Sequence, residues 1–107
     1  MKKMYELMYL PAAKQDLVDI AQYIRNELHN ASAAIQLVAQ LIDAGEKLMD
    51  FPYANPVYIP LRPLLHEYRK LFVKNYLMLY WVDEKSKTVT IARVLYAKRE
   101  YTQLLEN

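Results

Sequence analysis

The chain has 107 residues, a net charge of +2, 54% hydrophobic residues and no cysteine. That length suits one domain able to bury about two-thirds of its unfolded surface, and the missing cysteines exclude a disulfide framework and thiolate chemistry. No apolar run approaches the roughly 20 residues that cross a bilayer, and Glu6 interrupts the apolar stretch a secretory leader needs, so the expectation is a soluble cytoplasmic protein with no membrane partner.

The first elements follow from periodicity. Met4 to Leu10 is apolar and aromatic apart from Glu6, and predicts a strand. Pro11 fits the first turn of a helix, where its missing N–H costs nothing. From there to about Leu28, the residues Leu17, Ile20, Ala21, Ile24 and Leu28 recur at helical spacing, with acidic residues early, where the macrodipole favours them. His29-Asn30 breaks the pattern, and Asn30 or Ser32 can cap a second helix. Its stripe is Ala34, Ile35, Val38, Leu41, Ile42, Gly45 and Leu48. Gly45 is the only glycine and predicts a close approach of a neighbouring element. Two such helices joined by a short link form an antiparallel hairpin.

Asp50-Phe51-Pro52 ends the second helix. Tyr53 to His66 contains too many prolines for a helix or a central strand, and reads as an ordered loop held by Phe51, Tyr53, Tyr58 and Leu61. Three runs of strand character follow: one ending at Leu71-Phe72-Val73, then Tyr76 to Val82, then Thr88 to Tyr96. The turns between them, Lys74-Asn75 and Asp83 to Lys87, are short enough to permit only antiparallel neighbours. Ala97 to Leu105 predicts a short terminal helix docked by Tyr101, Leu104 and Leu105. The expected fold is a single α+β domain over residues 1–107, a helical hairpin on a small antiparallel sheet in the order β-α-α-β-β-β with a C-terminal helix.

The charge is unevenly placed. Residues 1–60 carry five basic and seven acidic side chains, a net −2, and residues 61–107 carry nine and five, a net +4. This suits a polyanionic or acidic partner approaching the sheet half; solvated strand edges give the same pattern. Metal binding is not expected, since His29 and His66 are far apart and no carboxylate pair has ligand spacing. One glycine cannot make a phosphate loop, Ser32 and Ser86 sit in a cap and a turn, and Trp81 reads as a packed sheet residue. What remains is a basic and aromatic set: Arg69, Lys70, Lys74, Arg93, Tyr96, Lys98 and Arg99. Strand alternation points Lys70 and Lys74 the same way with Phe72 between them and Arg69 opposite. Cations interleaved with aromatics suit a nucleic-acid backbone. His66 has the chemistry of a general base, against the plainer reading of a satisfied loop histidine.

Leu10-Pro11-Ala12-Ala13 with Asp16-Leu17, Ile20 and Tyr23-Ile24 resembles the opening helix of the RelE/ParE superfamily of bacterial toxins. Leu48 to Pro52, Tyr68-Arg69-Lys70-Leu71, Asn75-Tyr76-Leu77 with Tyr80, and Val89 to Leu95 followed by Lys98-Arg99 extend the resemblance over nearly the whole chain. It implies the toxin of a type II toxin–antitoxin pair, silenced by a small antitoxin that wraps its surface, with no cofactor. RelE-like members cut messenger RNA on the ribosome without metal, through a ribose 2′-hydroxyl; ParE-like members bind DNA gyrase. For the RNA-cutting kind the resemblance implies Arg69, Arg99 and Tyr96 as catalytic candidates; Lys70, Lys74, Arg93 and Lys98, from the basic set, are the expected target-binding residues whichever the target. Two positions depart from that pattern: Leu77 stands where a strand arginine is expected, and Leu105 where a stacking tyrosine is expected. Losing one such cation typically costs several kcal/mol of transition-state stabilisation, so the reading leans to a ParE-like gyrase inhibitor. The alternatives are a ribosome-dependent endoribonuclease and a non-toxic binding module on the same fold.

Overall fold

An extended residue followed by proline sets the first junction: Leu10 has φ −65° and ψ 153°, and Pro11 takes the opening helical position. The computed structural model describes residues 4–60 and 62–98. Six elements follow in the expected order: β1 (Glu6–Tyr9), α1 (Pro11–Asn26), α2 (Ala31–Lys47), β2 (Arg69–Val73), β3 (Tyr76–Asp83) and β4 (Thr88–Tyr96). Asn30 caps α2 as its sequence position suggests, its side-chain oxygen accepting from the Ala33 N–H at 3.0 Å. No acidic residue lies in the first turn of α1; Asp16 has a different task, described below.

The strands form one sheet in the spatial order β1-β4-β3-β2. The meander β2-β3-β4 is antiparallel, as its short turns require. β1 lies parallel to β4, with Glu6 opposite Thr88 and Tyr9 opposite Ile91, so the sheet as a whole is mixed. No tight turn joins β1 to β4, so turn length leaves their relative direction open. The expected C-terminal helix falls outside the described residues beyond the turn at Ala97 and Lys98.

Both faces of the sheet are covered. On the helix side, Ala13, Leu41 and Leu48 pack against Met78, Tyr80, Val89, Ile91 and Val94. On the other side, Tyr68, Leu77, Leu79, Ala92 and Leu95 form a second cluster, roofed by Tyr58 and Leu64 of the proline-rich segment and by Trp81. That is why Leu77 to Tyr80 is buried without alternation, as a strand covered on both faces must be. Leu79 pairs with Arg93 but Tyr80 with Ile91, leaving Ala92 as the extra residue of a bulge. The bulge explains how Ile91 and Val94, three apart, both reach the helix-side core.

β4 is longer than its parallel neighbour, and its outer edge is finished by a side chain. The last backbone bond along that edge runs from the Leu10 N–H to the Ile91 oxygen at 2.9 Å. One step on, the Val94 N–H donates to Asp16 Oδ2 at 2.9 Å. The same carboxylate takes both arms of Arg93, Nε at 2.8 Å and Nη2 at 2.9 Å. Asp16 therefore stands in for the strand partner that β1 stops providing when it turns into α1. The carboxylate holds the Arg93 guanidinium above its ordinary pKa through these hydrogen bonds.

Gly45 faces the sheet. A Cβ there would meet the Tyr9 hydroxyl at 2.6 Å and Ile91 Cδ1 at 3.0 Å, so the predicted close approach is to β1 and β4. The Tyr9 hydroxyl is itself buried without a hydrogen-bond partner among the described residues.

Two predictions follow from this packing. Removing the buried carboxylate in Asp16→Ala should cost about 3 kcal/mol, because the charge of Arg93 is left without its partner. Arg93→Ala should cost much less in that background than alone, read by urea unfolding of the four-member cycle. In Gly45→Ala, overpacking of about 1–3 kcal/mol outweighs about 1 kcal/mol of helix propensity. Adding Tyr9→Phe should recover part of the loss, since it removes the hydroxyl in the way and an unpaired buried polar atom.

Candidate partner-binding groove

The helical hairpin does not cover the whole end of the sheet, and the gap is a groove. Its first part lies between α2 and β2, with Gln40, Ala44 and Leu48 facing Leu71, Val73 and Lys74, and Phe51, Ala54 and Asn55 forming a wall; its volume is about 490 Å³. The second, about 350 Å³, is lined by Ile24, Leu37 and Gln40 against Lys74, Asn75 and Tyr76. The third, about 620 Å³, lies among Ile20, Tyr23, Leu28, Tyr76 and Tyr96. Gln40 and Lys74 line the first two, and Leu28, Asn75 and Tyr76 the last two. The three are therefore one continuous path around the β2–β3 turn.

Sequence reasoning gathered seven basic and aromatic residues, and the fold separates them. Arg69 is turned inward: Nη1 donates to the Asn55 carbonyl at 2.8 Å, Nη2 lies 3.8 Å from Glu67, and the guanidinium sits 4.9 Å from the centre of the Tyr53 ring. Arg93 is bound to Asp16. Lys70 pairs with Leu79 and so shares the face opposite the helices, while its backbone N–H donates to the Pro56 carbonyl at 2.9 Å. Lys74 has φ 56°, which ends strand alternation, and it lines the groove on the helix side instead of pointing with Lys70. Tyr96 packs edge-on to Tyr76 at 5.9 Å and lines the far end of the groove. Lys98 is exposed at the turn after β4, and Arg99 lies outside the described residues.

The histidine and tryptophan readings are clear in the geometry. His66 stacks on Trp81 with ring centres 3.8 Å apart and planes 3° from parallel, and Tyr68 meets both rings edge-on. Trp81 packs on the sheet as expected, and His66 has the setting of a loop histidine held by aromatics.

Of the loop residues expected to hold the proline-rich segment, Tyr58 packs beneath it, whereas Phe51 is 69% exposed and Leu61 lies outside the described residues. The segment is tied down instead by polar bonds. The Tyr80 hydroxyl donates to the Pro52 carbonyl at 2.8 Å and accepts from Asn55 Nδ2 at 3.2 Å; burial pushes this phenol's pKa up.

Sequence reasoning missed the centre that ties the segment's other side. Glu84, in the β3–β4 turn, accepts from Lys87 Nζ at 2.6 Å, from the Tyr5 hydroxyl at 2.7 Å and from the Tyr53 hydroxyl. Lys87, then Tyr53 and Tyr5, hold its pKa down from 4.5 to about 2, and the same contact pushes Tyr53 up to about 12. The signal available was the tyrosine excess, ten in all, but spacing does not say which of them meet. Among the described residues, no three His, Asp or Glu side chains converge as metal ligands, and no helix is long and apolar enough to cross a membrane.

The arrangement can therefore bind an elongated, partly apolar segment, and among the described residues Arg69 and Arg93 are both engaged within the chain. Comparison with known proteins identifies the class. Residues 7–101 match the family described as the ParE toxin of type II toxin–antitoxin systems, parDE. The chain belongs to this ParE toxin family. No curated protein matches it in sequence. Solved structures share its fold at low identity. The chromosomal ParDE system of P. aeruginosa superposes with a TM-score of 0.72 at 18% identity, covering 89% of this chain and 98% of that one. The toxin–antitoxin complex RelBE2 of Mycobacterium tuberculosis gives 0.63 at 22%, covering 86% and 96%. A double arginine-to-alanine mutant of the E. coli toxin RelE in the free state gives 0.61 at 18%, covering 95% and 93%.

The depressed Glu84 pKa predicts a pH dependence. Its ionised form is favoured in the folded chain, so the contribution is fully present above about pH 4.5 and is lost as pH falls toward 2. The difference in Tm between the native chain and Glu84→Gln should be largest near neutrality and shrink across that window in thermal unfolding at fixed salt.

Proposed function

We propose that this chain is the growth-inhibiting toxin of a type II pair, that it acts by binding DNA gyrase, and that a cognate antitoxin silences it from the groove. The observation that carries the gyrase reading is the internal use of Arg69 and Arg93. Cutting RNA through its 2′-hydroxyl requires cations placed where phosphorane charge develops. Arg69 is spent on Asn55, Glu67 and the Tyr53 ring, and Arg93 on Asp16. Freeing either would break the contacts that hold the proline-rich segment or the β4 edge. Inhibition by binding asks only for a stable surface.

The antitoxin reading is supported by the groove itself. It is long and mostly apolar, with Lys74 at its middle, which suits a segment that folds as it binds and carries carboxylates beside apolar anchors. The relatives of known structure include toxin–antitoxin complexes.

Induction without the partner, with labelled thymidine and amino-acid uptake followed over the first minutes, tests the target. DNA synthesis should fail first, and purified gyrase should lose supercoiling activity in excess protein. Early collapse of protein synthesis with DNA synthesis intact would overturn the reading in favour of a RelE-like ribonuclease. For the groove, Phe51→Asp should weaken antitoxin binding about 30-fold, the scale of one lost anchor of about 2 kcal/mol. Its Tm should stay close to the native value, because Phe51 is 69% exposed; binding is read by calorimetry.

A further inference from the structure

The outward face of the helical hairpin, turned away from the sheet and the groove, is apolar where a solvated face would be polar. A depression of about 660 Å³ runs along it between α1 and α2, lined by Val18, Ala21, Ile35, Val38 and Ile42. Val18 is 47% exposed, Ile35 72% and Ile42 41%. Contiguous apolar exposure of this kind marks a surface that something covers.

Shape and charge on this face point to the same occupant. The α1 side is low at Ala21, between Val18 and the polar Gln22 and Arg25, whereas the α2 side carries the bulkier apolar row Ile35, Val38 and Ile42. One helix thus carries the hollow that the other's ridge would fill, which is the self-complementarity an isologous pair needs. At one end of the face, Lys14 stands one helical turn before Val18, and Glu46 one turn after Ile42; both are exposed. A two-fold axis parallel to the helices lays α1 of one copy over α2 of the other, so that ridge meets hollow and Lys14 meets the other copy's Glu46. The alternative two-fold, across the helices, sets ridge on ridge and brings Lys14 over Arg25, a like-charge contact.

We propose that two copies of this chain associate through the outer faces of their hairpins, α1 over α2, as a weak homodimer. Helices of 16 and 17 residues make a face about 25 Å by about 20 Å. Two such faces bury about 1,000 Å², at the low end of specific interfaces. The association is therefore concentration-dependent, and the partner-binding groove on the opposite side stays open.

The test is sedimentation equilibrium of the purified full chain from about 1 to about 300 µM, the range in which interfaces of this size assemble. The mean mass should rise from monomer toward dimer. Ile35→Asp, at an exposed position that leaves the core intact, should remain monomeric throughout with an unchanged far-UV spectrum. Lys14→Glu should weaken association at least several-fold, and Lys14→Glu with Glu46→Lys should restore it. A monomer over the whole range, a dimer that survives Ile35→Asp, or a double charge reversal that fails to rescue Lys14→Glu each overturns the proposal. So does a chain that stays monomeric and loses antitoxin binding in Ile35→Asp, because the face would then belong to the antitoxin.

Discussion

One carboxylate decides how the two halves of this chain meet. β1 must stop at Tyr9 because Pro11 opens a helix, yet β4 runs on to Tyr96. An unpaired strand edge beside a packed helix would strand backbone donors away from water. Asp16, in α1, closes that edge by accepting from the Val94 N–H and clasping Arg93. The bond is bidentate and largely withdrawn from solvent, with side-chain exposures of 19% for Arg93 and 10% for Asp16, so it fixes the roll of α1 as well as its distance from the sheet. The bulge at Ala92 is part of the same arrangement, because it shifts the phase of the strand just before Arg93 and Val94. Helix hairpin, crossover and strand are thereby locked at a point remote from the meander's own turns.

That constraint also explains which parts of the chain could be read without coordinates. The helices were legible because their stripes and the Asn30 cap are local signals, and the meander because Lys74-Asn75 and Asp83 to Lys87 leave no room for anything but antiparallel return. The direction of β1 was not legible, since its partner is β4 at the far end of the chain and no turn relates them. Arg93 reads as a target-binding candidate in the sequence, and its pairing with Asp16 is not visible there for a related reason: the partner is 77 positions away. In the sequence Asp16 reads as one of the acidic residues early in a helix and as part of the family resemblance; the helix dipole is a weaker use for it than a buried ion pair. The bulge left no mark in the sequence, since Ala92 is as ordinary in a strand as its neighbours.

The groove shows a similar split between local and distant causes. Its apolar floor follows from helix and strand periodicity, with Leu48, Leu71 and Val73 falling where the stripes place them. Its wall does not. Phe51, Ala54 and Asn55 stand where they do because Tyr80, Arg69 and Glu84, from three different places in the sheet, hold the segment at Pro52, Asn55 and Tyr53. Such a wall is set before any partner arrives, and a groove that is already in place spares a folding segment part of its ordering cost.

The distribution of charge then acquires a meaning that the net value hides. Arg69, Arg93, Lys47 and Lys87 each bind a carboxylate or carbonyl of the chain itself. Lys70, Lys74 and Lys98 have no ion pair among the described residues, and they lie on the sheet half, with Lys74 in the groove. The excess of basic residues in the second half is thus divided between cations that build the fold and cations that remain for partners. Arg69 and Arg93 serve the first purpose where a rigid fork must match a carbonyl or carboxylate in one geometry, and Lys47 and Lys87 join them on exposed carboxylates; the lysines without an ion pair are hydrated point charges on flexible stems that can follow whatever docks.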